Sequence, residues 1–246
     1  MMPRAVLKLG VMDYFLCANG AKVLNTHGHA LIAHPLERAE VKKLMEKVTP
    51  LGAKWYVYVH DRCFIERTGV TYISGGVRSN VKRLIPRSPR QLRSTVLAVM
   101  HRFVGERGKR IVKSVLPIVE RSERFDKVGC SFLDGESCAK AAQLIRDLGG
   151  FEVARVWERE LEITAEGVTK GTTADELLAL AGIERSRTVA FGDSENDAPL
   201  IGHVGHFVAV GNASQELKDL ADEVCAPLSE DGVAQWLETQ LAESAQ

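Results

Sequence analysis

Long apolar runs are missing from this sequence. No window of its 246 residues reaches the roughly 20 apolar positions that a membrane-spanning helix needs. The opening stretch MMPRAVLKLGVMDYFLCANG is interrupted by Arg4 and Lys8, so it has the pattern of neither a span nor a secretory signal. A charge excess is also missing. Lysine plus arginine and aspartate plus glutamate number 32 each, which leaves no global argument for a nucleic acid or an anionic membrane as partner. Paired cysteines are missing too. The five, Cys17, Cys63, Cys130, Cys138 and Cys225, are odd in number and scattered, with no C-x-x-C spacing. That excludes a disulfide framework and a zinc ribbon, and it predicts reduced thiols in a cytoplasmic protein. No internal repeat and no low-complexity segment occurs.

What is present is ordinary for a globular chain. Hydrophobic residues make up 45% and charged residues 26%, enough for one large α/β domain or two smaller ones. Residues 4–9 read as the end of a helix before a strand. Tyr14 to Ala18 is a continuous apolar run ending in Asn19-Gly20, which suits a buried strand of a mostly parallel sheet. Lys22–Leu24 and Ala30–Ala33 flank a glycine-containing turn and predict a hairpin. Glu37 to Val48 has helical apolar spacing. Strands are predicted at Trp55–Val59, Cys63–Ile65, Lys127–Phe132, Phe151–Trp157 and Glu160–Ile163, with helices at Leu92–Phe103 and Glu136–Leu148. The last third alternates more regularly. Helices at Thr173–Ala181, from Asp197, at Gln215–Leu220 and at Gly232–Leu241 separate buried runs at Thr188–Phe191, His206–Val210 and Val224–Ala226. Buried strands alternating with helices predict a doubly wound parallel sheet.

The strongest chemical signal is Val189-Ala190-Phe191-Gly192-Asp193-Ser194-Glu195-Asn196-Asp197. An apolar strand ends in glycine and then in a loop with two aspartates four positions apart. Ligands of such sheets bind at the carboxyl ends of the strands. Two carboxylates beside an asparagine make a hard oxygen site suited to magnesium. The bland reading is a capped turn, but five consecutive polar residues, Asp193 to Asp197, behind a buried strand weigh against it. Upstream, Val168-Thr169-Lys170-Gly171 places a lysine where a helix opens, and there it can hold a phosphate as a point charge. Alone, a lysine is more often a solvated surface residue; its place before the acidic loop changes the balance.

Taken in order, VTKG, VAFGDSENDAPLI, HFVAVGNAS and LADEVCAPLSEDGVAQWL resemble the C-terminal half of the Cof-type phosphatases of the haloacid dehalogenase superfamily. CANGAKVLNTHGHALIAHPL resembles the strand and hairpin that lead into their cap. The likeness is tight at both ends and loose from about 66 to 125. It implies a Rossmann-type parallel-sheet core at 1–24 and 165–246, with an inserted α/β cap at 25–164. It implies a Mg2+-dependent hydrolase of small phosphomonoesters, with sugar phosphates or related organic phosphates as the expected substrates. Asp193 resembles a magnesium ligand, and Asp197 a second acid that holds a metal-bound water. Lys170 resembles the lysine that neutralises phosphoryl oxygens. Asn196 would position the phosphate or the loop, and Asn19, Gly20 and Asn212 would line the core cleft. Pro199-Leu200 departs from the family's usual methionine there, at a packing position.

The family's nucleophile is an aspartate in a D-x-D-G loop, and no D-x-D occurs in these 246 residues. The resemblance therefore implies a core truncated at its N-terminus, with an upstream start, a shortened gene or a non-catalytic binding form as the competing explanations, the first being favoured. At ~4.8 Å per strand, strands that flank two empty slots of a sheet cannot pair without moving. The chain on its own is expected to be inactive or nearly so. The alternatives are a non-catalytic binder of a phosphorylated ligand, or a phosphomannomutase-like relative. The expected partner is a small phosphorylated metabolite, with neither nucleic acid nor membrane, and open sheet edges favour homo-oligomers.

Two further features are set aside. His27, His29 and His34 read as a polar hairpin tip rather than a metal site, and His203 and His206 read likewise. Residues 78–113 carry eleven lysines and arginines against Glu106. They read as a solvated face, with attraction of phosphorylated substrates as a second role.

Overall fold

The computed structural model describes residues 10–68 and 109–244. The predicted helix end at 4–9 and the predicted helix at Leu92–Phe103 lie outside the described residues.

The largest unit is a six-stranded sheet. Its strands are β5 (Lys54–Val59), β6 (Arg62–Glu66), β7 (Lys109–Val112), β9 (Lys127–Ser131), β10 (Phe151–Trp157) and β11 (Glu160–Ala165), in the order β10-β11-β9-β5-β6-β7. All neighbours run antiparallel except β6 and β7. Side chains alternate along each strand. Trp55, Val57 and Val59 point to one face with Val128, Cys130, Leu161 and Ile163, and they form a continuous buried cluster. Three helices cover that face: α1 (Arg38–Val48), α2 (Leu116–Arg121) and α3 (Gly135–Leu148). Their starts are locally encoded. Glu37 and Glu40 form a reciprocal cap on α1, and the Asp134 carboxylate accepts from the Ser137 N–H on α3. A two-residue pair, β4 (Leu36–Glu37) with β8 (Arg124–Phe125), closes the rim. β7 and α2 have no counterpart in the sequence-based expectations.

The second unit is the predicted parallel sheet. β12 (Val189–Gly192), β13 (His206–Ala209) and β14 (Glu223–Val224) lie side by side in parallel. One face packs Phe207, Ala209 and Ala213 against Leu217 of α5 (Gln215–Leu220). The other packs Val208, Val210 and Cys225 against Trp236 of α6 (Gly232–Ser244). Helical cover on both faces is the doubly wound arrangement that the alternating pattern predicts.

One expectation is corrected. β1 (Tyr14–Cys17) does not run in a parallel sheet. It pairs antiparallel with β2 (Lys22–Asn25), which pairs antiparallel with β3 (Ala30–Ala33). An apolar run reports burial and carries no information on direction, whereas the tight turn that follows favours antiparallel pairing. β1 and β12 thus belong to separate sheets.

The turn between β1 and β2 is unusual. Ala18, Asn19 and Gly20 have φ of 53°, 59° and 103°, three consecutive residues in the left-handed region. Gly20 is also forced by contact, because a Cβ there would stand 2.1 Å from the Thr169 carbonyl oxygen.

Candidate active site

Two local structures build the site. The first is the start of α4 (Lys170–Ala181). Thr169 caps it: its hydroxyl accepts from the Thr172 N–H at 3.1 Å, and the Thr172 hydroxyl accepts from the Thr169 N–H at 3.0 Å. This fixes Lys170 in the first helical position. Gly171 lets the helix approach its neighbour closely, since a Cβ there would lie 1.9 Å from the Pro199 carbonyl oxygen.

The second is the loop after β12. Gly192 ends the strand, and a Cβ there would lie 2.5 Å from Asp197 Cβ. A short 3-10 helix follows (Glu195–Leu200), capped reciprocally by Ser194 and Asp197. Asp197 is buried and acts as the loop's hub. Its Oδ2 accepts from the N–H groups of Asp193 (3.1 Å) and Ser194 (3.2 Å) and from the Ser194 hydroxyl (3.3 Å). Its Oδ1 accepts from Lys170 Nζ at 2.5 Å. The Ser194 hydroxyl also donates to Asn196 Oδ1 at 2.8 Å.

Between them lies a cleft of about 350 Å³. Lys170, Asp193, Asn196, Asp197 and Asn212 line it, with Phe191, Val210 and Leu228 as an apolar wall. Asn212 is held there by accepting from the Leu228 N–H at 2.9 Å. Asp193 is exposed, and among the described residues its carboxylate takes no hydrogen bond or ion pair. The cleft therefore joins a fixed ammonium, a free carboxylate and amide groups at the carboxyl ends of parallel strands.

Five of the seven residues singled out from sequence come together here. Asn19 and Gly20 do not line this cleft. The Asn19 amide donates to Glu162 Oε2 at 2.8 Å, and Gly20 backs onto the start of α4 through its carbonyl, which accepts from the Thr173 hydroxyl at 2.8 Å. Ser194 is the loop residue that sequence reasoning passed over; its position at the head of S-E-N-D is a capping signature that was available. The histidines set aside have partners of their own, near and far in the chain. Asn25 Oδ1 accepts from the N–H groups of His27 and His29, His34 meets Glu176, His203 meets Asp175 and His206 meets Glu223.

The donor chemistry fits a hard divalent cation. Magnesium is usually held by one or two carboxylates, with waters and substrate phosphate completing its shell. An unpartnered Asp193 carboxylate next to a second acid matches that pattern. Among the described residues no group of three or more His, Cys, Asp or Glu gathers as a closed protein cage.

A sequence profile for haloacid dehalogenase-like hydrolases matches residues 1–237. The chain belongs to the haloacid dehalogenase-like hydrolase family. Among solved structures, a haloacid dehalogenase-like hydrolase from B. subtilis superposes with a TM-score of 0.78 at 19% identity, over 94% of this chain and 80% of that one. A sugar phosphatase of haloacid dehalogenase subclass IIB superposes at 0.69 and 19% identity, over 96% and 78%. At these identities the likeness shows the shared α/β fold. A phosphoglycolate phosphatase of Methanothermobacter thermautotrophicus is 41% identical over 75 residues, 30% of this chain and 34% of the relative. The matched stretch spans between 32% and 34% of the length of the first curated relatives of this haloacid dehalogenase-like chain.

Proposed function

We propose that this phosphatase-family chain binds the phosphoryl group of small phosphomonoesters together with Mg2+, with sugar phosphates or related organic phosphates as the substrate class. The observation that carries the reading is Lys170 locked onto Asp197 beside the unpartnered Asp193 carboxylate. In this arrangement Asp193 holds the cation, and Lys170 takes a phosphoryl oxygen as a charged donor. The positive end of the α4 dipole adds a favourable field for an anion. Asn196 and Asn212 orient the ester, and Phe191, Val210 and Leu228 exclude water from one side. Bound Mg2+ would neutralise phosphoryl charge and polarise the phosphorus centre. The subclass IIB sugar phosphatase among the structural relatives supports the substrate class, and the phosphoglycolate phosphatase supports small organic phosphates more broadly.

Turnover requires a nucleophile, which the family resemblance places in a D-x-D loop. None occurs in these 246 residues, and among the described residues the aspartates that line the cleft are Asp193 and Asp197, both with other work. The purified chain is therefore expected to bind without appreciable hydrolysis, and a non-catalytic phosphoryl-binding role is the second reading. The test measures Mg2+-dependent phosphate release from an aryl phosphate, and the Tm shift with Mg2+ plus inorganic phosphate, for the chain and for Asp193→Ala. Stabilisation of the parent alone, without release, supports the proposal. Release lost in Asp193→Ala would reveal a substitute nucleophile. No stabilisation across a panel of phosphate esters would remove the phosphoryl reading altogether.

A further inference from the structure

Among the described residues, the face of the six-stranded sheet opposite α1, α2 and α3 carries polar side chains at its centre. Tyr56, Tyr58, Lys127 and Glu162 all project there, opposite the cluster packed under the helices. Lys127 Nζ lies 2.6 Å from Glu162 Oε1, with side chains only 8% and 12% exposed, and 4.9 Å from the Tyr58 ring centre. The Tyr56 hydroxyl donates to the same oxygen at 3.3 Å. Gly129 makes room for this, since a Cβ there would stand 2.2 Å from the Tyr56 ring. Burial opposes ionisation of Glu162, but the Lys127 charge and hydrogen bonds from Lys127, Asn19 and Tyr56 outweigh it and hold the carboxyl below its usual range.

A buried ion pair is weak evidence for stability, because desolvation offsets much of the attraction. Among the described residues this one has a contact that leaves its own unit. Glu162 Oε2 accepts from Asn19, across 143 positions of sequence, at the centre of the left-handed Ala18-Asn19-Gly20 turn. The next residue of that turn is tied the other way. Gly20 presses against the Thr169 carbonyl, and its own carbonyl accepts from Thr173, which is fully buried. Thr169 and Thr173 bracket Lys170. A left-handed alanine and asparagine cost free energy and persist where surroundings over-determine them. Here those surroundings are a carboxylate on one side and a helix start on the other. Lys22, just beyond the turn, also reaches the sheet through Asp126 and Asp61, but it makes no bond to α4.

We infer that Asn19 is a positioning residue: it latches the six-stranded sheet to the first turn of α4, so that the placement of Lys170 depends on the sheet being docked. This rests on the geometry of the turn and not on the phosphoryl reading.

The test is hydrogen–deuterium exchange by mass spectrometry on the whole chain without ligand. Asn19→Gly keeps a residue content with positive φ and deletes only the side chain. Thr173→Val deletes the second tie without changing its volume much. Each is expected to speed exchange about tenfold, as for loss of one hydrogen bond to or within a buried network, in both 160–164 and 169–173 for Asn19→Gly, and in 169–173 with 18–22 for Thr173→Val. The rest of the chain should stay at parent rates. Faster exchange at 18–22 alone in Asn19→Gly would show that the side chain couples nothing. Uniform acceleration everywhere would show a general stabilising role. Either result overturns the latch.

Discussion

Lys170 Nζ stands 2.5 Å from Asp197 Oδ1, while the carboxylate of Asp193, four positions earlier, faces the cleft without a partner among the described residues. The two aspartates of one loop thus have different duties. Asp197 spends its oxygens on two backbone N–H groups, a hydroxyl and an ammonium. Asp193 keeps its oxygens for something else. Asp197→Asn should lower stability by about 2 kcal/mol, the scale of a hydrogen-bonded charge that loses its partner. Asp193→Asn should stay within about 0.5 kcal/mol of the parent, as for exposed sites, yet lose the Tm rise with Mg2+ and phosphate. Denaturant titration read beside ligand-induced Tm shift separates the two. Equal destabilisation by both changes would contradict the division of labour.

Lys170 is a point charge on a flexible stem, pinned by Asp197. Lys170→Met keeps the stem and removes the charge, so phosphate binding should weaken at least tenfold, consistent with loss of a charge-assisted bond. Lys170→Arg should recover only part of it, because the guanidinium is planar and larger and sits differently on the Asp197 carboxylate. Calorimetric titration of phosphate in the presence of Mg2+ reads both. Full affinity in Lys170→Met would exclude Lys170 from the anion site.

The approach of α4 to the 3-10 helix depends on the absence of one carbon. A Cβ on Gly171 would lie 1.9 Å from the Pro199 carbonyl oxygen, a backbone atom that cannot swing aside. Gly171→Ala should therefore cost about 3 kcal/mol, the upper range of overpacking, and should pull Lys170 away from Asp197. Gly135→Ala, in the first turn of α3, meets only the Glu158 side chain and carbonyl at 3.4 Å and beyond, and should be nearly neutral. Chemical denaturation of the pair gives the comparison. A neutral Gly171→Ala would mean that the two helices have room to separate.

Much of this site was readable from sequence because its determinants are local. Thr169 and Thr172 cap α4 within one turn, Ser194 and Asp197 cap the 3-10 helix within four residues, and β12 is a plain apolar run. Lys170, Asp193, Asn196 and Asp197 accordingly converge as the pattern suggested, and Asn212, which only the family resemblance pointed to, joins them. What local pattern does not carry is pairing. The apolar run of β1 says that it is buried, and the structure alone shows it lying antiparallel to β2. The partner of Asn19 is a glutamate far along the chain on another sheet, so a residue expected to line the cleft is found bonding away from it. Glu162 lies in the predicted strand Glu160–Ile163, where nothing in the local sequence marks it as buried. Its burial follows from Gly129, Tyr56 and Lys127 on neighbouring strands, and register between distant strands is not written in any one of them.

That buried glutamate makes acid stability a direct readout of the network. Lys127, Tyr56 and Asn19 face Glu162 and together hold its carboxyl below the ordinary value of 4.5. A carboxyl depressed on folding adds stability that is complete above its unfolded value and disappears as pH falls through its folded value. Lowering the pH from about 6 to about 3 should therefore destabilise the parent through this group as well as through the other depressed carboxyls, Asp134, Glu120 and Glu223. Glu162→Gln cannot titrate and leaves Lys127 without its carboxylate, so it should be less stable near neutrality and should lose less on acidification. The Tm curves of the two proteins should converge toward low pH, because protonation makes the parent glutamate resemble the glutamine. Curves that stay parallel over the whole range would mean that Glu162 titrates alike in the folded and unfolded chain, and that the buried contacts with Lys127 and Asn19 do not bias its charge.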